Sequence, residues 1–252
     1  MKILVLIKQT FDIDENIVLQ FGMVKEEGVT FITNPYDEYL IEKAIQLREA
    51  HGGEVTVITV GSERAKDALH SALARGVNNA VLVNSEDLNI DEYCTAKILS
   101  TIIKNREYDI IFVGNVGLDY GSGQIGPRLA EELNIPQVTA ITNLKIDGNT
   151  AIIERDAEGD KEIVQVSLPV LVTSQQILKE PRYPTIQETM KSKPIELIEI
   201  DDLNIYDVLE VKTISTETFF PPEKGPGRIL NGNIKAQVSE LAELLCREAK
   251  II

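Results

Sequence analysis

Residues 109–126 read DIIFVGNVGLDYGSGQIG. A β-branched apolar run (109–113) passes into a loop whose glycines flank one acid, Asp119, and the loop runs into a segment of helical period. Working outward, the runs KILVLI (2–7), VTVITV (55–60) and AVLV (80–83) are also continuous and apolar. Strands covered on both faces read this way, and longer helical segments separate them, which is the pattern of βαβ units and a parallel sheet. Residues 17–33 read as a hairpin inserted before the first long helix. That helix begins at Asn34-Pro35. Asn34 suits the cap, Pro35 the first turn, and Asp37 and Glu38 favour the positive end of the helix dipole. Leu40, Ile41, Ala44, Ile45 and Leu47 form its apolar face, and Gly52-Gly53 ends it.

Further helices fit 62–75, 91–105 and 124–134, the last leading through Ile135-Pro136 to a strand near 138–142. Residues 143–173 alternate apolar with polar side chains around Asp147-Gly148 and Glu158-Gly159, the mark of antiparallel strands joined by tight turns. After Pro181 the periodicity weakens until a final helix near 234–250. The expected division is an α/β body over 1–190 and a carboxy-terminal arm over 191–252. The fold class is α/β: an open, mostly parallel sheet flanked by helices, with an antiparallel region and an extended arm. The arm, with Pro221-Pro222 and Gly225-Pro226-Gly227, has no core of its own to offset its ordering entropy. It folds either against another chain or around its own body.

The composition bounds the function. Of 252 residues, 25 are Lys or Arg and 40 are Asp or Glu, giving a formal charge of −15, with 43% hydrophobic residues. This is an ordinary soluble composition, and a chain this long buries a core without disulfides or structural metals. Cys94 and Cys246 form no CxxC or zinc-type spacing, which fits a reducing cytoplasm. An acidic chain without a dense basic stripe does not invite nucleic acid, and no apolar run is long enough to span a bilayer. MKILVLIKQT lacks a small-residue cleavage site and reads as a first strand rather than a leader.

Open parallel sheets bind ligands at the carboxyl ends of their strands, where strand order reverses. Three loops converge there: Gly114 to Gly126, Asn34-Pro35-Tyr36-Asp37, and Val60-Gly61-Ser62. Glycines let backbone donors approach an anion, and a helix amino terminus adds donors and a favourable dipole, so a nucleotide phosphate fits the first loop. The spacing is neither GxGxxG after the first strand nor GxxxxGK[ST]. Taken alone, such a turn serves structure as readily as a ligand, and Asn34 alone is most simply a cap; together the three loops point to an adenine nucleotide in a Rossmann-like sheet. Catalytic candidates are poor. His51 and His70 lie in helices without a nucleophile motif, Cys94 and Cys246 have no activating neighbour in sequence, and EIDD (199–202) and ERDAEGDKE (154–162) read as solvated turns. No constellation for proton transfer or covalent chemistry is evident.

The segment Leu178 to Lys193, LKEPRYPTIQETMKSK, is of another kind. Its prolines hold the chain extended, and Leu178, Tyr183 and Met190 stand among cations, the layout of a partner-docking patch that also includes Pro181 and Arg182. The alternative is a crossing loop whose Leu and Met pack inward.

KILVLIKQ (2–9), NPYDEYLIEKAI (34–45), VTVITVG (55–61), GNVGLDYGSGQIGPRLAEEL (114–133), PQVT (136–139) and above all EPRYPTIQETMKSK (180–193) resemble the β subunit of electron transfer flavoprotein, over essentially the whole chain. The resemblance implies an α subunit that holds most of the contacts to a redox-active FAD, and a buried AMP as a structural ligand of the β subunit. By position, the AMP contacts implied are Leu6, Asn34, Pro35, Tyr36, Asp37, Val60 and the stretch Val116-Gly117-Leu118-Asp119-Tyr120-Gly121-Ser122-Gly123-Gln124-Ile125-Gly126-Pro127. Backbone groups of Leu6 and Val60 would read the adenine edge, and amides around Gly121 to Gly126 the phosphate. Leu178 falls where the family has the hydrophobic anchor of a recognition loop that docks on acyl-CoA dehydrogenases and related donors. Lys191-Ser192-Lys193-Pro194 is less basic than the lysine-rich run of relatives, which bears on steering or on partner identity. The implied role is electron relay without a catalytic group of its own, as in fatty acid oxidation: a dehydrogenase reduces the shared FAD, which passes electrons to a quinone reductase. Some members of the family carry a second FAD in place of AMP and bifurcate electrons; NPYDEY and DYGSGQIG resemble the AMP-binding group. A stand-alone ATP- or AMP-binding signalling module is the alternative of another class.

Overall fold

The computed structural model describes the chain except residues 13, 87, 176–179, 185, 190–192, 206–208 and 252, and describes no side chain at 186, 187 or 249. In chain order the elements are β1 (Lys2–Leu6), β2 (Gln9–Phe11), β3 (Leu19–Gln20), β4 (Met23–Val24), β5 (Phe31–Thr33), α1 (Pro35–His51), β6 (Glu54–Gly61), α2 (Lys66–Ala74), β7 (Asn79–Asn84), α3 (Glu92–Ile103), β8 (Ile110–Gly114), α4 (Ile125–Leu133), β9 (Gln137–Val138), β10 (Ile141–Asp147), β11 (Thr150–Ala157), β12 (Asp160–Ser167), β13 (Val170–Ser174), α5 (Ile186–Thr189), β14 (Glu196–Glu199) and α6 (Ile234–Leu244).

Among the described residues seven strands form one sheet in the order β14-β7-β6-β1-β8-β13-β9, and every pairing in it is parallel. The apolar strand sequences divide by their period of two. Ile3 and Val5 of β1 face one side with Val55, Val57, Ile110 and Phe112, under α1 and α2. Leu4 and Leu6 face the other with Ile58, Val81, Ile111 and Val113, under α3 and α4. The chain builds outward from β1 through β6 to β7, then returns by α3 to place β8 on the other side of β1. Strand order therefore reverses between β1 and β8.

Among the described residues three further sheets are antiparallel. β10, β11 and β12 form one, and their inner residues Ile141, Leu144, Ala151 and Ile153 join the core under α1. ERDAEGDKE is not a solvated turn: most of it is paired strand with cross-strand ion pairs Lys161–Glu154 (3.0 Å) and Arg155–Glu162 (3.4 Å), and only Glu158-Gly159 turns. The strand expected near 138–142 divides in two, because Ala140 adopts a positive φ of 55° and redirects the chain from β9 in the parallel sheet to β10 in the antiparallel one. Val170–Ser174, at the end of the alternating region, joins the parallel sheet as β13. The expected hairpin over 17–33 is also two devices. β3 and β4 pair tightly at its tip, whereas β5 pairs with β2 at the other end.

By internal contacts the chain divides into Met1–Thr216 and Glu217–Ile252. The first unit continues past the boundary expected at residue 190, because β14 pairs with β7 as an edge strand of the main sheet. In the second unit, α6 is capped by Asn233, whose Oδ1 accepts from Ala236 N (3.0 Å), and continues as a π-helical turn, Leu245–Ala249. No residue of α6 is buried; Ile234, Val238 and Leu241 are exposed along one side. Among the described residues no helix is long and apolar enough to cross a membrane.

Candidate functional site

A cavity of about 460 Å³ opens at the carboxyl ends of β1, β6 and β8, at the point where strand order reverses. Its floor includes Leu6, Ile58, Val60 and Val113 from the strand ends. One wall is the start of α1. Asp37 is fully desolvated there, its Oδ2 accepting the Lys8 backbone N–H (2.7 Å) and its Oδ1 the Asn34 amide (3.1 Å). Burial pushes the Asp37 carboxyl up to about 7, against the opposing pull of Lys8, Asn34 and the Gly114 backbone. Gly114 is required at the close approach: a Cβ there would lie 2.1 Å from Asp37 Oδ1 and 3.0 Å from Asn34 Nδ2. The Asn34 side chain does not cap α1. It donates to Asp37 and to the Val116 carbonyl (3.1 Å), and its buried Oδ1 has no partner among the described residues. A buried acceptor without a donor costs about 1–3 kcal/mol and marks a place for a ligand or water.

The second wall is the loop from Asn115 to Gln124. Asn115 is tied to β13, its Oδ1 accepting from Thr173 Oγ1 (2.7 Å) and its N–H donating to the Ser174 carbonyl (2.9 Å). Asp119 accepts from Lys8 Nζ (2.8 Å), which also sits 5.0 Å from the centre of the Tyr120 ring. The loop uses two of its own amides internally: Tyr120 N–H bonds Asp119 Oδ1 (2.9 Å) and Gly121 N–H bonds the Gly117 carbonyl (2.8 Å).

The third wall comes from the start of α3 and from residues 213–215. Asp91 caps α3 through Cys94 N–H (2.9 Å), while its Oδ2 accepts from Lys212 N–H (2.7 Å) and Thr213 N–H (2.9 Å). Burial opposes ionisation of Asp91, but these donors outweigh it and hold the carboxyl well below the usual range. One carboxylate thus fastens a strand of chain 121 residues away beside the cavity. Cavity, glycine-bearing loop and orphaned acceptor together suit a nucleotide-sized ligand with a polar base.

An electron transfer flavoprotein domain model matches residues 22–203. The chain is 48% identical to the electron transfer flavoprotein subunit beta of Bacillus subtilis, covering all of both chains. It is 40% identical to the subunit of the same name from Thermoanaerobacterium thermosaccharolyticum (97% of this chain, 98% of the relative) and 36% identical to that of Syntrophomonas wolfei (100% and 98%). The chain belongs to the electron transfer flavoprotein family. These three relatives are beta subunits, and membership in the family assigns the chain a part in electron transfer.

Of the residues that the family resemblance implied, Leu6, Asn34, Asp37, Val60, Val116, Gly117, Tyr120, Ser122, Gly123, Gln124 and Ile125 line the cavity. Pro35, Tyr36, Leu118, Asp119, Gly121, Gly126 and Pro127 are not among its lining. Asp119 lies behind the wall, nearly buried against Lys8. Gly126 packs α4 on β13, where a Cβ would meet Thr173 Cγ2 at 2.7 Å. Pro35 and Tyr36 belong to the first turn of α1, and Pro127 to that of α4.

In the docking segment, Leu178 and Met190 lie outside the described residues. Pro181 is half-buried and Tyr183 is 95% exposed. Arg182, expected among the docking residues, turns inward onto Glu42 and Glu49 of α1.

Sequence reasoning missed Lys8, Asn89, Asp91, Glu92, Thr95 and the 213–215 segment. Asp91 carried a signal as the residue before a helical run; Thr213, Ile214 and Ser215 carried none.

Proposed function

We propose that this chain is the β-type subunit of a heterodimeric electron transfer flavoprotein that holds AMP in the cavity between β1 and β8. The observation that carries the nucleotide is the buried, partnerless Asn34 Oδ1 in a cavity at the strand reversal. Asn34 Oδ1 and backbone groups of Leu6 and Val60 would meet the base, and amides of the 116–125 loop the phosphate. Asp37 holds the Asn34 amide in place, and Asp91 keeps 212–213 beside the ligand. The nucleotide in this reading is a scaffold and takes no part in chemistry. FAD, held mainly by an α subunit and shared at the interface, supplies the redox chemistry when bound.

The apolar stripe Ile234, Val238 and Leu241 on α6, together with exposed Phe219 and Phe220, supports a subunit contact. Exposed apolar groups at helical spacing mark a surface that a partner covers. The segment around Leu178 to Met190 would meet the electron donor, an acyl-CoA dehydrogenase or a related flavin enzyme, with a quinone reductase as acceptor. The test is coexpression with the α subunit followed by ligand extraction. One AMP and one FAD per heterodimer are expected. Two FAD would instead favour a bifurcating flavoprotein. ATP on a chain that never acquires a yellow partner would overturn the proposal in favour of a signalling module.

A further inference from the structure

Arg182 makes the densest side-chain hydrogen bonding outside the cavity among the described residues. Its Nε and Nη2 donate to Glu42 Oε2 (2.8 Å) and Oε1 (3.0 Å), and its Nη1 and Nη2 to Glu49 Oε1 (2.7 Å) and Oε2 (3.1 Å). Its own backbone N–H adds a bond to Glu42 Oε2 (3.2 Å). Glu42 and Glu49 stand two turns apart on α1, so one planar guanidinium spans both carboxylates with two bonds to each, a geometry that an ammonium cannot reproduce. The Glu42 side chain is 5% exposed and is also held by Gln46 Nε2 (2.6 Å).

The next residue, Tyr183, is 95% exposed, with a proline on its far side. Ten residues further on, Lys193 Nζ donates to the Val77 carbonyl (2.7 Å), and α5 lies against α2 between these two ties. Arg182 and Lys193 are thus tied to the body of the protein by hydrogen bonds, and among the described residues between them Tyr183 is the exposed large apolar side chain. Aromatic side chains are the commonest energetic anchors of protein contacts, and an anchor on a held backbone loses less entropy on binding than one on a free loop.

We propose that Arg182 is a positioning residue: by clamping the chain to Glu42 and Glu49 of α1 it presents Tyr183 as a pre-organised anchor for the electron-donating flavin dehydrogenase. This rests on the docking role given to the segment under Proposed function. Arg182 itself does not touch the donor.

The test uses the heterodimer with its FAD, an acyl-CoA dehydrogenase reduced by its acyl-CoA as donor, and a dye as final acceptor. Arg182→Ala is expected to raise the KM for the dehydrogenase about tenfold, with kcat and FAD content retained. Amide exchange over 181–189 should quicken while that of Ile3 to Leu6 does not change. Arg182→Lys, which keeps the charge but not the fork, should fall between the two. If Tyr183→Ala raises KM and Arg182→Ala does not, the positioning role is overturned and the docking reading stands. If neither changes KM, both fall. Should Arg182→Ala lose FAD, Glu49→Gln, which opens only the outer half of the clamp, replaces it; a raised KM supports the inference and an unchanged one overturns it.

Discussion

The Asp37 carboxylate accepts the backbone N–H of Lys8 at 2.7 Å, joining the end of β1 to the start of α1 across 29 residues. The same carboxylate holds the Asn34 amide, so one buried acid sets the position of the unpartnered Asn34 oxygen in the cavity. Burial raises this carboxyl from 3.8 to about 7.

A raised folded-state value means that, between those two limits, the folded chain holds a proton that the unfolded chain has released. The contribution of Asp37 to stability is therefore full below about pH 4 and is lost as pH rises through about 7, a total on the order of 4 kcal/mol. Asp37→Asn has no proton to lose and should show a flatter profile between pH 5 and 8. Urea midpoints of parent and variant across that range measure it, and parallel profiles would refute the assignment.

Gly114→Ala places a Cβ 2.1 Å from Asp37 Oδ1. Neither Asp37 nor the strand end can retreat from it in a packed interior, and the expected loss is about 3 kcal/mol together with nucleotide retention. Gly225→Ala, where no atom lies within 4 Å, is the control and should leave the unfolding midpoint unchanged.

Asp91→Ala removes the cap of α3 and the acceptor for Lys212 and Thr213 at one stroke. A lost cap costs about 1–2 kcal/mol. Loss of the tether should also speed nucleotide release from the heterodimer, measured by exchange against labelled AMP. A lowered melting temperature with unchanged release would confine Asp91 to the cap.

Leu241→Asp introduces a charge into the exposed stripe of α6, where no residue is buried. The melting temperature of the chain alone should not move. Association with the α subunit should weaken about a hundredfold or more, read by copurification and by titration of FAD-containing subunit. Full association would remove α6 from the interface.

The parallel sheet was legible because its strands carry unbroken apolar runs. Ile3 and Val5 enter one core and Leu4 and Leu6 the other, so both faces of β1 are apolar. β14 was not legible. Glu196-Leu197-Ile198-Glu199 is a four-residue edge strand with solvent on much of its surface, and it becomes a strand only because β7 offers an unpaired edge. ERDAEGDKE misled for the converse reason: the charges that suggested a loop are cross-strand partners on the open face of a sheet.

By itself the sequence determined the alternation of strands and helices, the parallel class, the start of α1 at Asn34-Pro35 and the glycine-bearing loop after β8. These depend on residue period, proline and glycine, whose preferences act over a few residues. Only the tertiary structure decided that Asn34 turns from its cap toward Val116, that Asp91 fastens Lys212 and Thr213 beside the cavity, and that Arg182 turns inward onto α1. These contacts join groups 82 to 140 residues apart. A buried polar group takes whichever partner the fold brings within reach, and no local pattern records that partner.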